Sequence, residues 1–174
     1  MTTEPTQPRP RRTAAQTLDR LIHPREQHQI VEAIRTAELG TTGEIKVHIE
    51  AICLASDPYT RAVSLFEKLG LHRTESRNGV LVYAATHDRR YALIGDVGIG
   101  EPQGSEFWTD AQKRMSIAFR RGAFGEGIAS AVRELGERLA RKFPWRPVSA
   151  GGNGTLNKDE LENAISTEDT SSRS

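Results

Sequence analysis

The sequence predicts an α/β fold, in which a small mixed β-sheet lies between about four helices. Two observations predict it. β-Branched residues alternate with polar ones over residues 43–52, and residues 80–85 form an unbroken apolar run, which are the patterns of strands. Apolar residues at helical spacing, bounded by Pro and Gly, fill the segments around them. A chain of 174 residues fits one domain, which we place at residues 16–144.

The two ends of the chain are predicted to lie outside this domain. Residues 1–15 contain prolines and an arginine cluster with almost no apolar side chains, so burial cannot offset the entropy lost on ordering. We therefore expect a disordered arm. Residues 145–174 are rich in Gly, Ser, Thr and acidic residues, which predicts a partly disordered tail that docks only in part.

The first predicted helix and strand follow the arm. Pro24 suits the first turn of a helix, apolar residues follow at helical spacing, and Gly40 offers the left-handed stop. Over residues 43–52 the alternation predicts a strand with one buried face. The polar positions of that strand are Glu44, Lys46, His48 and Glu50.

A second helix and a central strand complete a βαβ unit. Asp57 and Pro58 form an N-cap and a first-turn proline, and Gly70 ends the apolar stripe that follows. After the turn Asn78-Gly79, the apolar run at residues 80–85 predicts a strand covered on both faces.

A tight hairpin and two helices follow the central strand. The short polar stretch 86–90 predicts a turn into an antiparallel third strand at residues 91–96. After a glycine-rich loop, Ser105 is the expected cap of a third helix whose aromatic residues form core. A fourth helix is expected near residues 126–142, because Pro144 stops it.

Composition excludes several classes of protein. The formal net charge is +1, so no global field attracts nucleic acid or an anionic membrane, and we expect neither as a partner. The one cysteine, Cys53, lies in an apolar run, which favours a buried thiol in a reducing compartment. No secretory signal or membrane-spanning run is found, so the predicted location is cytoplasmic.

The predicted topology gathers polar residues at one edge of the sheet. Strands one and two are expected to be parallel, and the antiparallel third strand ends where they begin. The residues brought to this edge are Thr42, Glu44, Ser76, Asn78, Asp96 and, further along, Glu101. Carboxylate and amide oxygens suit calcium, and magnesium less well because it demands octahedral geometry. The alternative is that these residues only cap turns and helices.

Other motifs carry little chemistry. Residues 153–160 resemble the second half of an EF-hand loop but lack its first carboxylates, and the glycines of 95–104 do not follow a nucleotide-binding order. His48, His72 and His87 are scattered and are expected at the surface. No nucleophile with an adjacent base is found, so no catalytic residue is predicted.

Three segments resemble the TPM domain family and its soluble bacterial branch. They are AIRTAELGTTGEIKVHIE, LFEKLGLHRTESRNGVLVYAATHDRRYALIGDVGI, and the stretch from Phe107-Trp108 to Gly127. The resemblance spans residues 20–144 and implies an α/β sandwich, calcium binding in some members and phosphatase activity in a chloroplast member. It favours Glu44, Asn78 and Asp96, with Glu101, as cation ligands. Residues 159–166 keep only part of the ending NELPDEIS seen in soluble members, so the resemblance leaves open whether this tail docks.

These observations lead to two functional hypotheses. The first is a non-enzymatic module that binds a divalent cation, calcium by preference, or a protein partner. The second is a weak metal-assisted phosphatase that uses the same carboxylates. A partner-binding domain without any ion is a third possibility. Neither the partner nor the oligomeric state follows from the sequence.

Overall fold

The computed structural model describes residues 13–145 and 165–170. Its described helices are α1 (Ala14–Leu21), α2 (Pro24–Gly40), α3 (Pro58–Lys68), α4 (Glu106–Arg120) and α5 (Phe124–Lys142). Its described strands are β1 (Ile45–Glu50), β2 (Val80–Ala85), β3 (Arg90–Gly95) and β4 (Ile165–Glu168). Short 3-10 turns at Leu71–Arg73 and Val97–Ile99 precede β2 and follow β3. Residues 1–12 of the arm predicted at residues 1–15, and the EF-hand-like residues 153–160, lie outside the described residues.

The four described strands form one mixed sheet in the order β3-β2-β1-β4. β1 and β2 are parallel, because the helix α3 carries the chain back across the sheet between them. β2 and β3 are antiparallel and joined by the predicted hairpin. The α/β class, the βαβ unit and the antiparallel hairpin strand are therefore confirmed.

Helices cover both faces of the sheet. Alternate residues of β1 and β2, such as Val47 and Val82, enter one core with α2, α4 and α5. Leu81 and Tyr83 on the opposite face enter a smaller core with α3. The expected core positions Phe107, Trp108, Met115 and Phe119 are buried, as is Cys53. This arrangement leaves the strand ends, and the loops that extend from them, at two opposite edges.

Strand β4 was not predicted. It runs parallel to β1, with Val47 opposite Ile165 and Glu50 opposite Glu168. The sequence Ile-Ser-Thr-Glu has neither an apolar run nor a clear alternation, so periodicity could not find it. Polar side-chain contacts with β1 and α3 hold it, as described below.

Helix α1 begins inside the segment predicted as a disordered arm. Thr13 caps it with a reciprocal pair of bonds: the Gln16 amide donates to Thr13 Oγ1, and the Thr13 amide donates to Gln16 Oε1. A capping box stabilises a helix that is otherwise short. Thr17 and Leu18 then bury one face of it. The helix therefore starts two residues before the predicted domain boundary at residue 16.

The remaining helices follow their sequence signals. Asp57 caps α3 by accepting a hydrogen bond from the Thr60 amide at 2.9 Å, and Pro58 occupies the first turn. Helix α5 begins two residues before its expected start and packs closely on α2. A Cβ atom at Gly136 would lie 2.4 Å from the Cβ of Ala37, so this crossing requires glycine. In the described residues, no helix has the length and apolarity needed to cross a membrane.

Strand β1 is buried on both faces, which corrects the expected polar face. Glu50 is fully buried, and His48, expected at the surface, is buried as well. Helix α3 covers that face, and its Arg61 guanidinium pairs with Glu50. Because it is paired, a charged side chain can be buried in the core. Alternation of polar and apolar residues alone does not distinguish solvent from a buried partner.

Candidate functional site

The amino-terminal ends of β1 and β2 meet the end of β3, as the topology predicted. Ile45 lies opposite Val80, and Val80 lies opposite Gly95. Backbone bonds extend the pairing by one residue: the Val80 amide donates to the Glu44 carbonyl at 2.8 Å, and the Asp96 amide donates to the Gly79 carbonyl at 2.9 Å. Residues distant in sequence are thus assembled at one edge.

Asp96 is the most enclosed acid of this edge. Its carboxylate is 4% exposed and receives two bonds from Arg77, from Nε to Oδ2 at 2.6 Å and from Nη2 to Oδ1 at 2.8 Å. Oδ1 also accepts from the Val97 amide at 2.8 Å. Burial acts to raise the pKa of Asp96, but these bonds and the Arg77 charge outweigh it and lower that pKa. The carboxylate is therefore charged at neutral pH.

Arg77 is held in a conformation that few residues adopt. Its φ is +49°, in the left-handed region. The Gly98 amide donates to the Arg77 carbonyl at 2.8 Å, and a Cβ at Gly98 would lie 2.5 Å from that oxygen. The backbone is thus fixed by a glycine, while the Arg77 side chain is 48% exposed. Strain of this kind costs about 1–3 kcal/mol and often marks functional segments.

The other predicted ligands have partners of their own. Glu44 lies 3.2 Å from the Lys46 ammonium, and Glu101 lies 2.6 Å from the Lys142 ammonium, which lowers the pKa of Glu101. The Asn78 amide nitrogen donates to Thr42 Oγ1 at 3.3 Å. Each predicted carboxylate is therefore neutralised by a basic side chain.

The faces of the sheet divide the predicted ligands into two pairs. Asp96 lines a cleft beside α3, and Lys46, the partner of Glu44, donates to the carbonyl of Leu69 at the end of that helix. Asn78 has the parity of the buried residue Val80, which faces the opposite core, and Glu101 contacts α5. Within residues 13–145 and 165–170, no group of three or more His, Cys, Asp and Glu side chains is arranged to hold a metal.

The cleft beside Asp96 has a volume of about 470 Å³. It lies between α3 and the end of β3, and its apolar wall is formed by Tyr59, Val63, Phe66, Ile94 and Val97. Its polar end is formed by Glu67, His72, Arg77 and Asp96. The Nδ1 atom of His72 is buried and has no hydrogen-bond partner among the described residues. An apolar concavity with convergent polar groups is the usual form of a ligand site.

Comparisons with known proteins place the chain in a family. The sequence model of the TPM domain matches residues 16–138, which is most of the chain. This chain belongs to the TPM domain family. The BA42 protein of the psychrophilic bacterium Bizionia argentinensis, solved by NMR, has 32% sequence identity and a TM-score of 0.69 over 84% of this chain and 95% of its own.

A second solved structure shares the fold with this TPM domain. The N-terminal domain of the cg2496 protein of Corynebacterium glutamicum has 15% identity and a TM-score of 0.55, covering 78% of this chain and 80% of its own. At that identity the likeness concerns the fold alone. No curated protein matches the chain.

The TPM domain also holds a buried ionic cluster that the sequence interpretation missed, at the opposite edge. Arg61 of α3 donates from Nε to Glu50 Oε1 at 3.0 Å and from Nη2 to Glu50 Oε2 at 2.8 Å. The Tyr83 hydroxyl donates to Glu50 Oε1 at 2.6 Å, and His48 Nε2 lies 3.7 Å from Oε2. Arg61 Nη2 also donates to Glu168 of β4 at 2.7 Å.

Charge in this cluster is fixed by its contacts. Burial acts to raise the pKa of Glu50, yet its contacts with His48, Arg61 and Tyr83 lower that pKa to about 2. Burial raises the pKa of the Tyr83 hydroxyl, with further contributions from Cys53 and Glu50. The Glu50 carboxylate is therefore enclosed by its own partners. The sequence did contain a signal for this cluster. Acidic residues lie inside a strand, and the helix that follows the strand carries an arginine on its inward face.

Proposed function

We propose that this TPM domain is a binding module that takes a divalent cation, calcium by preference, at Asp96 in place of the Arg77 guanidinium. One observation carries the proposal. An enclosed, charged carboxylate at the polar end of a cleft is neutralised by a side chain that is half exposed. A guanidinium in that position can turn into water and leave the carboxylate to an ion.

Glu44 is the second ligand that we propose. It lies on the same side of the sheet as Asp96. Strand β1, which begins after Glu44, and strand β3, which ends before Asp96, are separated by β2. Two strand spacings amount to roughly 10 Å between the backbones. One ion can bridge that separation between an Asp and a Glu side chain. Loop carbonyls and water would complete the shell of six to eight oxygens that calcium accepts.

Asn78 and Glu101 are outside the proposed site, because Asn78 has the parity of Val80, which faces the opposite core, and Glu101 contacts α5. Glu101 therefore provides a matched control: it is an acid paired with a lysine, like Glu44. The proposal predicts that calcium raises Tm, since a ligand bound only to the folded state stabilises it by mass action.

The experiment is a series of thermal melts with calcium up to millimolar concentration. Asp96→Asn is expected to abolish the rise in Tm and Glu44→Gln to reduce it, while Glu101→Gln keeps it. Arg77→Gly, which suits the positive φ and removes the competing cation, is expected to increase the calcium affinity. A wild-type Tm that does not respond to calcium would contradict the proposal, as would a response that Asp96→Asn leaves intact.

A weak metal-assisted phosphatase is the second candidate. It is favoured by the position of Arg77 and His72 in the same cleft, because a guanidinium released from Asp96 is a good partner for phosphoryl oxygens. A bound cation would polarise the phosphoryl group, and Glu44 or Asp96 would position water. Turnover of a generic phosphomonoester tests it. Activity that persists in Asp96→Asn and Glu44→Gln would identify a contaminant and remove this candidate.

A further inference from the structure

Strand β4 is held to the sheet mainly by polar side chains. All four of its residues are half-buried, and Ile165 is its one apolar residue. Ile165 contacts the core shared with α2 and α5. Ser166 and Glu168 point to the other side, toward His48 and Arg61. Apart from Ile165, the side chains of this strand therefore contribute polar contacts.

Three alternate residues of the docked segment are held by side-chain contacts. Ser166 Oγ lies 2.8 Å from His48 Nδ1. Glu168 accepts hydrogen bonds from Arg61 and from Lys68. The Thr170 hydroxyl is buried and accepts from the amides of Ala51 and Ile52, at 3.1 and 3.0 Å. A binding site recognises one side of an extended peptide through contacts at every second residue.

On the surface that β4 contacts, Arg61 keeps its position without β4. Arg61 is already fixed by two bonds to Glu50, and Tyr83 holds the same carboxylate. Removing Glu168 would leave Glu50 balanced by Arg61 and leave the charge of Lys68 unmatched. The edge of β1 would then be a preformed, positively charged slot with unpaired backbone groups. Its charge complements an acidic peptide.

The chain that leads to β4 is much longer than the gap it crosses. Pro144 pairs with Thr41, just before β1, and Ile165 pairs with Val47, inside β1. That gap is roughly 20 Å along an extended strand, whereas residues 146–164 could extend to roughly 60 Å. A long tether does not force its end into place; it only sets an effective concentration, typically millimolar or less. A competing segment at sufficient affinity can replace it.

We propose that the edge of β1 is a recognition site for an extended acidic peptide of another protein. Such a peptide lies parallel to β1, with a hydroxyl residue, a carboxylate and a threonine at alternate positions. Residues 165–170 occupy this site in cis until the partner displaces them. The site is independent of the cleft at Asp96.

The test uses the full chain and a fluorescent peptide with the sequence of residues 162–171, ENAISTEDTS. The variant Glu168→Ala/Thr170→Val weakens the cis strand without touching the slot. Fluorescence anisotropy is expected to show at least tenfold tighter peptide binding by this variant than by the wild type. A control peptide carrying the Glu168→Lys substitution is expected to bind at least tenfold more weakly. Equal affinity for both peptides would overturn the proposal, and so would equal affinity of both proteins for the native peptide.

A second variant reports on the slot itself. Lys68 is 65% exposed on α3, so Lys68→Glu is expected to fold normally. Added to the first variant, it should weaken peptide binding severalfold, and unchanged affinity would contradict the proposal.

If Glu168→Ala/Thr170→Val does not fold, the wild type is titrated with millimolar peptide instead. Shifts of the Ala51 and Ile52 amides then support the proposal, and their absence rejects it. A concentration-dependent dimer of the wild type would assign the slot to strand exchange between copies and overturn it as well.

Discussion

Two arginine–carboxylate pairs lie at opposite edges of the same sheet and differ in their access to water. Arg77 holds Asp96, and Arg61 holds Glu50, each through Nε and Nη2. Both carboxylates are buried, but the Arg77 side chain is 48% exposed and the Arg61 side chain 13%, and Glu50 has Tyr83 as an additional donor. Our proposal treats this pair geometry as replaceable at Asp96, whereas at Glu50 the pair is enclosed. Each prediction below alters one of these pairs or a contact that holds it.

The largest expected effect comes from Arg61→Leu. It would leave the Glu50 carboxylate buried without its cation, which typically costs about 3–5 kcal/mol. Unfolding in urea measures it. The double variant Arg61→Leu/Glu50→Gln should lose less than the single one, because no buried charge remains. A double variant as unstable as the sum of both single variants would show that the pair is not coupled.

The second prediction concerns the loss of stability in acid, when Glu50 is protonated. The pKa of Glu50 is about 2 in the folded protein and 4.5 in an unperturbed chain. The unfolded state therefore binds more protons between these values, and stability falls as pH drops through that window. The difference corresponds to roughly 3 kcal/mol, which is present above pH 4.5 and lost toward pH 2. Urea midpoints at pH 7, 4 and 2.5 measure it, and Glu50→Gln should remove the part of the slope that Glu50 contributes, while carboxylates with a lowered pKa such as Asp96 keep theirs.

Tyr83→Phe is expected to have an intermediate effect. It removes one donor to Glu50 and leaves Arg61 in place, and a hydrogen bond to a charged group contributes about 1.5–3 kcal/mol. The same variant should raise the pKa of Glu50 and so reduce the stability that is lost between pH 4.5 and pH 2. Stability equal to that of the wild type would indicate that the Tyr83 bond to Glu50 contributes nothing. Thermal melts at two pH values distinguish these outcomes.

Arg77→Gly is expected to change stability least. The Arg77 guanidinium is half exposed, so water can take its place beside Asp96, and glycine relieves the strain of a positive φ at this position. Tm should change by a few degrees at most for a domain of this size. Arg77→Lys keeps the charge and serves as the control. If Arg77→Gly were as destabilising as Arg61→Leu, the two pairs would be equivalent and the comparison would fail.

The sequence predicted the frame of the fold because periodicity reports burial. The apolar run at Val80–Ala85, the Asp57-Pro58 start of α3 and the short hairpin before β3 were sufficient to derive the βαβ unit and the edge that holds Asp96. What it missed depends on polar contacts across the fold. β4 is polar and is recognised by His48 and Arg61, which no local pattern reveals.

The candidate site was predicted in position but not in detail. Topology brought Glu44, Asn78 and Asp96 to one edge, yet the side to which each points depends on one residue of register. Basic partners were equally invisible, because Arg77 reaches Asp96 from the turn before β2 and Lys142 reaches Glu101 from the end of α5. Such pairings follow from packing geometry rather than from spacing in the chain.

Amide chemical shifts followed during a calcium titration test the central claim most directly. A cation that replaces Arg77 at Asp96 should shift the amides of Glu44 and of residues 95–98 in a saturable way at millimolar calcium or below. The amides around Glu50 should stay unchanged, and Arg77→Gly should reach saturation at lower calcium. Shifts that are absent throughout, or that appear around Glu50 and leave Asp96 unaffected, would contradict the account.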